Sequence, residues 1–136
     1  MQAEVPIVYV ACPYAHSDPA TQKHRFETAC LAASLLMKSG IVVFSPLSHS
    51  VPIAEIGNIP EDHDFWMLQD KRILRHCSEM LILGLPGWQQ SHGVIDEMFT
   101  ALAMRMPITL IEEADIDNLP AIPQTAKHFL QSKIFS

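Results

Sequence analysis

Short, fully apolar runs alternate along the chain with longer segments in which apolar residues recur every three or four positions. The apolar runs are rich in β-branched residues, which is typical of buried strands. They cover residues 5–11, 41–44, 80–85 and 108–111. Parallel strands need a crossover connection that is usually a helix. The alternation therefore predicts an α/β fold with three layers, in which a mainly parallel sheet of four to five strands has helices on both faces.

The segments between the strands carry the start and stop signals of helices. Asp18 and Pro19 are typical of an N-cap and a first helical residue, and Gly40 is typical of a helix end. We predict further helices over residues 61–76, 91–105 and 123–132.

Residues 46–60 contain three prolines and one glycine, and they are predicted to form a long loop. Loops of this length are uncommon unless they are functional. Ligands of parallel α/β sheets bind at the carboxyl ends of the strands. We therefore expect residues 12–17, 45–49 and 86–93 to surround one crevice.

Composition limits the classes of function. A chain of 136 residues is expected to form one domain over residues 1–136. The formal net charge of −6 and the scattered lysines and arginines argue against a nucleic acid polymer as partner. No apolar run reaches transmembrane length, and the first residues do not resemble a signal peptide. We therefore expect a cytoplasmic protein without membrane contact, whose three widely spaced cysteines are reduced.

The most informative stretch of the chain is residues 84–98. A strand leads into a glycine-bearing loop, which is followed by a helix with apolar periodicity. Ser91, His92 and Gly93 are the first residues of this helical segment. This layout presents backbone N–H groups to an anion. Glu97 lies one to two turns inside the helix, and its neighbours on the same face, such as Val94, are apolar. A carboxylate in that position is expected to have a function or a partner.

A second carboxylate lies on an otherwise apolar face of the preceding helix. Trp66, Asp70, Ile73 and Cys77 have the spacing of residues that share one helix face. Burial there would raise the pKa of Asp70 and favour a protonated acid near neutral pH. The structural alternatives are that Asp70 forms an ion pair with a lysine or arginine of the same helix, or that the helix is rotated and Asp70 is exposed to solvent.

Four motifs in this order resemble the nucleoside 2-deoxyribosyltransferase-like superfamily. Residues 9–14 are similar to its Y-x-A-x-P-[YF] opening, residues 44–46 to the end of its second strand, and Asp70 to its acidic residue before the third strand. Residues 91–97 are similar to its [SD]-x-G-x-x-x-E motif. Within the superfamily, the chain resembles a bacterial branch related to deoxynucleoside 5′-monophosphate N-glycosidases. The resemblance implies a flavodoxin- or Rossmann-like fold.

The resemblance also implies roles for individual residues. Glu97 would be the nucleophile that attacks the anomeric carbon of the sugar, and Asp70 would protonate or orient the departing base. Tyr14 would contact the sugar or the catalytic acid, although a half-buried structural aromatic is an equal alternative. The residues expected to bind substrate are Cys12, Pro13, Tyr14, Trp66, Ser91 and Gly93.

The resemblance leaves the reaction and the ligand partly open. Ser91 stands where the transferases carry an aspartate, and a neutral serine at a helix N-terminus attracts phosphate. The predicted substrate is thus a nucleoside 5′-monophosphate, or else a nucleoside, and the predicted reaction is N-glycosidic hydrolysis. The monophosphate hydrolases carry an arginine in the loop after the first strand, and Arg25, His16 or His24 would replace it in this chain. Deoxyribosyl transfer, a phosphoribohydrolase of the lysine-decarboxylase-like group and a non-catalytic nucleotide sensor are the alternatives.

No metal and no other cofactor is predicted, because the seven histidines show no close ligand pair. Cys12 follows a strand as a nucleophile would, but no activating base is evident nearby, which favours a buried thiol. Phe65, Trp66, Met67 and Trp88 offer more apolar surface than one helix face can bury. Together with the shared pockets of the superfamily, this predicts a homo-oligomer.

Overall fold

The computed structural model describes residues 4–129. Its strands are β1 (Ile7–Ala11), β2 (Val42–Phe44), β3 (Glu79–Gly84), β4 (Ile108–Glu112) and β5 (Lys127–Phe129). Its α-helices are α1 (Pro19–Lys38), α2 (Pro46–Gly57), α3 (His63–Leu74) and α4 (His92–Ala103). Short 3₁₀ turns cover Trp88–Gln90 and Glu113–Asn118.

The strands form one sheet in the order β2-β1-β3-β4-β5. The first four strands in this order are parallel, and β5 pairs antiparallel with β4 at the edge. This arrangement confirms the predicted α/β fold with a mainly parallel sheet. The topology brings the loops that follow β1, β2 and β3 to the same edge of the sheet.

Successive residues of β1 face opposite sides of the sheet, as the pleat requires. Val8 and Val10 pack into a core cluster with residues of α1, whereas Tyr9 and Ala11 pack into a second cluster with residues of α4. In addition, α2 packs against α1 and α3 packs against α4. Helices therefore cover both faces of the sheet, and side chains from β1 can reach a site on either face.

The segment predicted to be a loop over residues 46–60 is largely helical, so that prediction was wrong. Pro46 occupies the first turn of α2, where a missing backbone N–H costs nothing. Gly57 ends the helix, and Asn58 follows in the left-handed conformation with φ of 56°. Only Pro52 interrupts the helix interior. The residues interpreted as loop formers thus lie mostly at the two ends of a helix.

The helix predicted over residues 123–132 was also wrong within the described part of the chain. Lys127–Phe129 form β5, and Thr109 Oγ1 lies 3.0 Å from Nδ1 of His128 across the strand pair. Pairing with the free edge of β4 decides the conformation here, and such pairing overrides local preference. Residues 130–132 lie outside the described residues.

Candidate functional site

A cavity of about 620 Å³ opens at the carboxyl ends of the parallel strands. Its walls come from the loop after β1, from α2 and α3, and from the start of α4. Each of the three segments predicted around one crevice, residues 12–17, 45–49 and 86–93, contributes to the lining, and later residues of α2 together with α3 complete it. Of the predicted site residues, the following line the cavity: Cys12, Tyr14, Trp66, Asp70, Ser91, Gly93 and Glu97.

Glu97 lies in the second turn of α4 and is only 4% exposed. Burial raises the pKa of its carboxyl to about 8, and the charges of Asp70 and Asp96 act in the same direction. The phenol of Tyr9 donates a hydrogen bond to the carboxyl and opposes this rise, as does the charge of Lys71. A buried carboxyl that lines a cavity and has a perturbed pKa is typical of a functional site.

Tyr9 opens the Y-x-A-x-P-[YF] motif, but the sequence analysis assigned it no role in the site. It lies in the middle of β1, is fully buried, and points to the α4 side of the sheet. Burial and the charge of Glu97 raise its pKa well above the ordinary value, which keeps the phenol a hydrogen-bond donor. The signal available in the sequence was a tyrosine inside an apolar strand, because a buried hydroxyl needs a partner.

Asp70 lines the same cavity from α3 and is 7% exposed. Burial raises the pKa of its carboxyl to about 6. Within residues 4–129, its side chain forms no hydrogen bond or ion pair. The lysine beside it, Lys71, instead binds Asp96, with Nζ 2.6 Å from Oδ1. The ion pair considered as the structural alternative for Asp70 is therefore absent from this part of the chain.

The loop after β1 contributes unequally to the cavity. Cys12 is buried against its wall, and burial raises the pKa of its thiol to about 12, which agrees with a protonated structural thiol. Pro13 is fully buried and does not line the cavity. Its position therefore does not support the predicted contact with substrate. Tyr14 lines the wall, where burial and the charges of Glu61 and Glu55 raise its pKa.

Ser91 has a structural role in addition to its place in the lining. Its Oγ accepts a hydrogen bond of 3.2 Å from the backbone N–H of Val94 and so caps α4. This cap places Gly93 on the cavity wall and directs Glu97 inward from the following turn. Asp62 caps α3 in the same way, accepting from the N–H groups of the first turn.

The predicted substitutes for a phosphate-binding arginine do not line the cavity. Arg25 is buried, and its guanidinium donates to three backbone carbonyls, those of Tyr14, Ala15 and Pro86. It ties the loop after β1 to the loop after β3. His16 and His24 are exposed and also lie outside the lining. Their positions therefore give no support to the expectation that one of the three meets a phosphate in this cavity.

A polar network joins α3 to α4 beside the cavity. Asp96 binds Lys71 and also His63, whose Nε2 lies 3.1 Å from Oδ2. The ring of His63 meets the ring of His92 edge to face at a centroid distance of 6.2 Å. Both imidazoles line the cavity, and the network fixes the two helices that carry Asp70 and Glu97.

The exposed apolar surface differs from the one predicted. Phe65 is 39% exposed, as predicted, whereas Met67 is buried. Trp66 is half-buried in the cavity wall, and Trp88 is half-buried against the core. The large exposed apolar side chains on α3 and α4 include Leu68 at 73% and Phe99 at 61%. Part of the apolar surface that was predicted to form an interface is therefore buried within the protein itself.

Residues 4–129 contain neither a metal-binding cluster nor a membrane-spanning helix. No group of three or more histidine, cysteine or carboxylate side chains has an arrangement that would hold a metal ion. None of the helices combines the length and the apolar character that crossing a membrane requires.

Residues 6–113 match the family model described as a domain of unknown function, DUF1937. The chain belongs to this family. No curated protein shows a significant match to this DUF1937 chain. Among solved structures, a 2-deoxyribosyltransferase from the psychrotolerant bacterium Bacillus psychrosaccharolyticus is similar, with a TM-score of 0.54 and 16% sequence identity. The match covers 78% of the DUF1937 chain and 72% of the transferase.

The transferase is described as a biocatalyst for the synthesis of antiviral and antitumoral nucleosides. At 16% identity, the similarity shows that the DUF1937 chain has a fold of this kind. It does not distinguish between the branches of the superfamily that the sequence resembles.

Proposed function

We propose that the protein cleaves the N-glycosidic bond of a nucleoside through a covalent glycosyl–enzyme intermediate. The observation that carries the proposal is the pair Asp70 and Glu97, two buried carboxyls from different helices that border one cavity at the carboxyl ends of the strands. The fold shared with a 2-deoxyribosyltransferase supports a nucleoside as the class of substrate. We take residues 1–136 as a single catalytic domain.

In the first step, a carboxylate oxygen of Glu97 attacks the anomeric carbon, and a C–O bond forms as the C–N bond breaks. The electron pair of the C–N bond goes to the base nitrogen, while Asp70 donates its proton to the base. With pKa values of about 6 at Asp70 and about 8 at Glu97, the reactive form, in which Glu97 is ionised and Asp70 is protonated, is the minor of the two singly protonated states near neutral pH. The phenol of Tyr9 would hold the carboxyl of Glu97 in position throughout.

In the second step, water attacks the same carbon and gives its proton to the Asp70 carboxylate. The ester to Glu97 breaks, and the free sugar leaves. A second base in place of water would make the same intermediate a transferase intermediate. Hydrolysis and transfer therefore differ only in the acceptor, and both are compatible with the roles proposed for Asp70 and Glu97.

The charge of the cavity favours a free nucleoside over the 5′-monophosphate predicted from Ser91. Five carboxyl groups line the cavity, and within residues 4–129 no lysine or arginine does. A phosphate would be repelled there, because like charges interact unfavourably in a partly buried site. The N-terminus of α4 at Ser91 is the feature of the wall that would still attract an anion.

We also propose that the protein forms a homo-oligomer, as the resemblance implies. The exposed side chains of Leu68 and Phe99 on neighbouring helices support an apolar contact surface. Light scattering at micromolar concentration tests this proposal, and a particle of monomer mass would contradict it.

The test of the function is the release of a free base. Purified protein is incubated with a panel of purine and pyrimidine nucleosides and deoxynucleosides, and the products are separated by chromatography. Glu97→Gln should lose several orders of magnitude in rate, because an amide is isosteric but is not a nucleophile. Exposed Glu27 lies outside the cavity lining, and Glu27→Gln is the matched control that should keep wild-type turnover.

The same assay distinguishes the two reactions. Addition of a second base should produce a new nucleoside if the protein is a transferase, and only free sugar if it is a hydrolase. Failure to release a base from every nucleoside, or full activity of Glu97→Gln, would contradict the proposed function.

A further inference from the structure

The carboxyl groups of the cavity are arranged in two levels. Asp70 and Glu97 are buried in its interior, whereas Glu55, Glu61 and Asp62 are exposed. All five line the same space, and among residues 4–129 no lysine or arginine lines it with them. A ligand that enters the cavity therefore passes a rim of negative charge before it reaches the two buried acids.

Aromatic side chains accompany these carboxyls. Trp66 lines the cavity one turn before Asp70 on α3, so the two residues share a helix face. Tyr14 lines the wall near two rim carboxylates, since the charges of Glu61 and Glu55 raise its pKa. Aromatic faces beside carboxylates attract planar organic cations, because the ring quadrupole and the carboxylate charge act in the same direction.

Asp70 points to a ligand independently of the rim. A buried polar group normally has a hydrogen-bond partner, and a buried charge is normally paired. Within residues 4–129, the Asp70 carboxyl has neither, although it is 7% exposed and lines the cavity. The partner that it lacks in the protein is expected in the bound molecule.

We propose that the preferred substrate is a nucleoside whose base carries a permanent positive charge, such as the N-riboside of a pyridinium. This inference rests on the proposed function and specifies its class of substrate. The cationic ring would lie beside Trp66 and Asp70, and the rim carboxylates Glu55 and Glu61 would increase its local concentration.

The charge of the base also simplifies the chemistry. Attack by Glu97 forms the C–O bond, and the electron pair of the breaking C–N bond neutralises the ring nitrogen, so a neutral pyridine leaves without a proton. Water then attacks the anomeric carbon, releases the sugar and gives up one proton. The overall reaction converts the cationic nucleoside and water into a neutral base, a free sugar and a proton. In this reaction Asp70 holds the cation rather than protonating it.

Nicotinamide riboside and its reduced dihydro form are suitable probes, because they are nearly the same size and only the first carries a charge on the ring. Binding is measured by calorimetry on Glu97→Gln, which prevents turnover. We expect the cation to bind at least tenfold more tightly than the reduced form. The difference should shrink as salt is added, because the rim carboxylates are exposed to solvent.

The charge of the rim is tested by Glu55→Gln in the same background. This change should weaken binding of the cation about threefold or more and leave the reduced form unaffected. Glu27→Gln removes an equal charge outside the cavity lining and should change neither affinity. Equal affinity for the two probes, or an unchanged affinity for the cation in Glu55→Gln, would overturn the proposal.

The outcomes separate this proposal from the proposed function. Release of base from uncharged nucleosides, together with equal binding of the two probes, would overturn the cationic substrate and support the glycosidase. Tight binding of the cation without release of any base from wild-type protein would support the charge preference and contradict the glycosidase.

Discussion

The phenol of Tyr9 donates a hydrogen bond to the carboxyl of Glu97, although 88 positions separate the two residues in the chain. Tyr9 is fully buried in a central strand, and Glu97 is buried in the second turn of α4. A rigid strand thus positions the proposed nucleophile, and the phenol remains a donor because its pKa is raised by burial. The hydrogen bond favours the ionised form of Glu97 against the effect of desolvation.

We predict a bell-shaped pH dependence of kcat/KM for release of an uncharged base. The pKa values of Asp70 and Glu97 are raised by burial to about 6 and about 8. Below this range both carboxyls are protonated and no nucleophile is present, whereas above it both are ionised and no acid is present. Between the two values, the pair shares one proton. Initial rates measured from pH 5 to 9 check this, and a flat profile would contradict it.

Tyr9→Phe should change this profile in one direction. Loss of the donor removes an interaction that lowers the pKa of Glu97, so the alkaline limb should move to higher pH and the maximum rate should fall. A buried carboxyl left without its partner should also cost about 1–3 kcal/mol of stability. A variant that is merely less stable would keep both limbs at their wild-type positions, and that result would contradict a positioning role for Tyr9.

The free energy of unfolding should fall as the pH rises from about 4 to 8. Both acids have raised pKa values in the folded protein, so the folded state retains protons that the unfolded state has lost. The stabilisation is complete below the unfolded pKa values and is lost as the pH passes the folded ones. Each group contributes at most about 1.4 kcal/mol per pH unit. Urea unfolding at several pH values measures this dependence. The free energy of unfolding should fall less steeply with pH in Glu97→Gln, while Glu27→Gln should keep the wild-type dependence on pH.

A free nucleoside should bind at least tenfold more tightly than its 5′-monophosphate. The cavity is lined by five carboxyl groups, and within residues 4–129 no lysine or arginine lines it. Ser91→Asp should preserve the cap of α4, because aspartate is a good N-cap. It should weaken binding of the monophosphate by a further 1–3 kcal/mol or so. Calorimetry with inosine and inosine 5′-monophosphate measures both effects. Tighter binding of the monophosphate would restore the preference inferred from Ser91 in the sequence.

Gly87→Ala should lower the stability of the protein by distorting the loop that follows β3. Gly87 has φ of 88°, a conformation that costs an alanine about 1–2 kcal/mol. Its added Cβ would also lie 3.0 Å from Nη2 of Arg25, which donates to the carbonyl of the preceding Pro86. Thermal unfolding measures the loss of stability. Gly40 is the control, since it has a similar φ of 85° and open space around a Cβ; an equal loss in Gly40→Ala would exclude a contribution from Arg25.

Local patterns in the sequence were sufficient to predict most of the fold and to identify the two buried acids. The four parallel strands follow from apolar runs, and the start of α1 follows from Asp18 and Pro19, which the structure confirms as cap and first residue. Asp70 and Glu97 could be identified because a carboxylate on an apolar helix face contradicts its surroundings, and both are indeed buried.

The remaining features depend on contacts between distant parts of the chain. β5 forms only because β4 offers a free edge, and three residues carry no periodicity of their own. The partner of Tyr9 lies 88 positions away. The rim carboxylate Glu55 was hidden because α2 was interpreted as a loop. Arg25 shares the buried face of α1 with Ala29, Ala32 and Leu36. The sequence does not show that carbonyls from two distant loops meet its guanidinium there.

Arg25 holds together two loops beside the cavity without lining the cavity itself. This separation bears on which residues can change without loss of the fold. The guanidinium of Arg25 is satisfied by main-chain carbonyls on two separate loops, which it holds together from outside the cavity. Main-chain contacts do not depend on the identity of the side chains in those loops. Substitutions at the exposed rim can therefore accumulate while the scaffold persists, and the charge and shape of the cavity can change without loss of the fold that holds it.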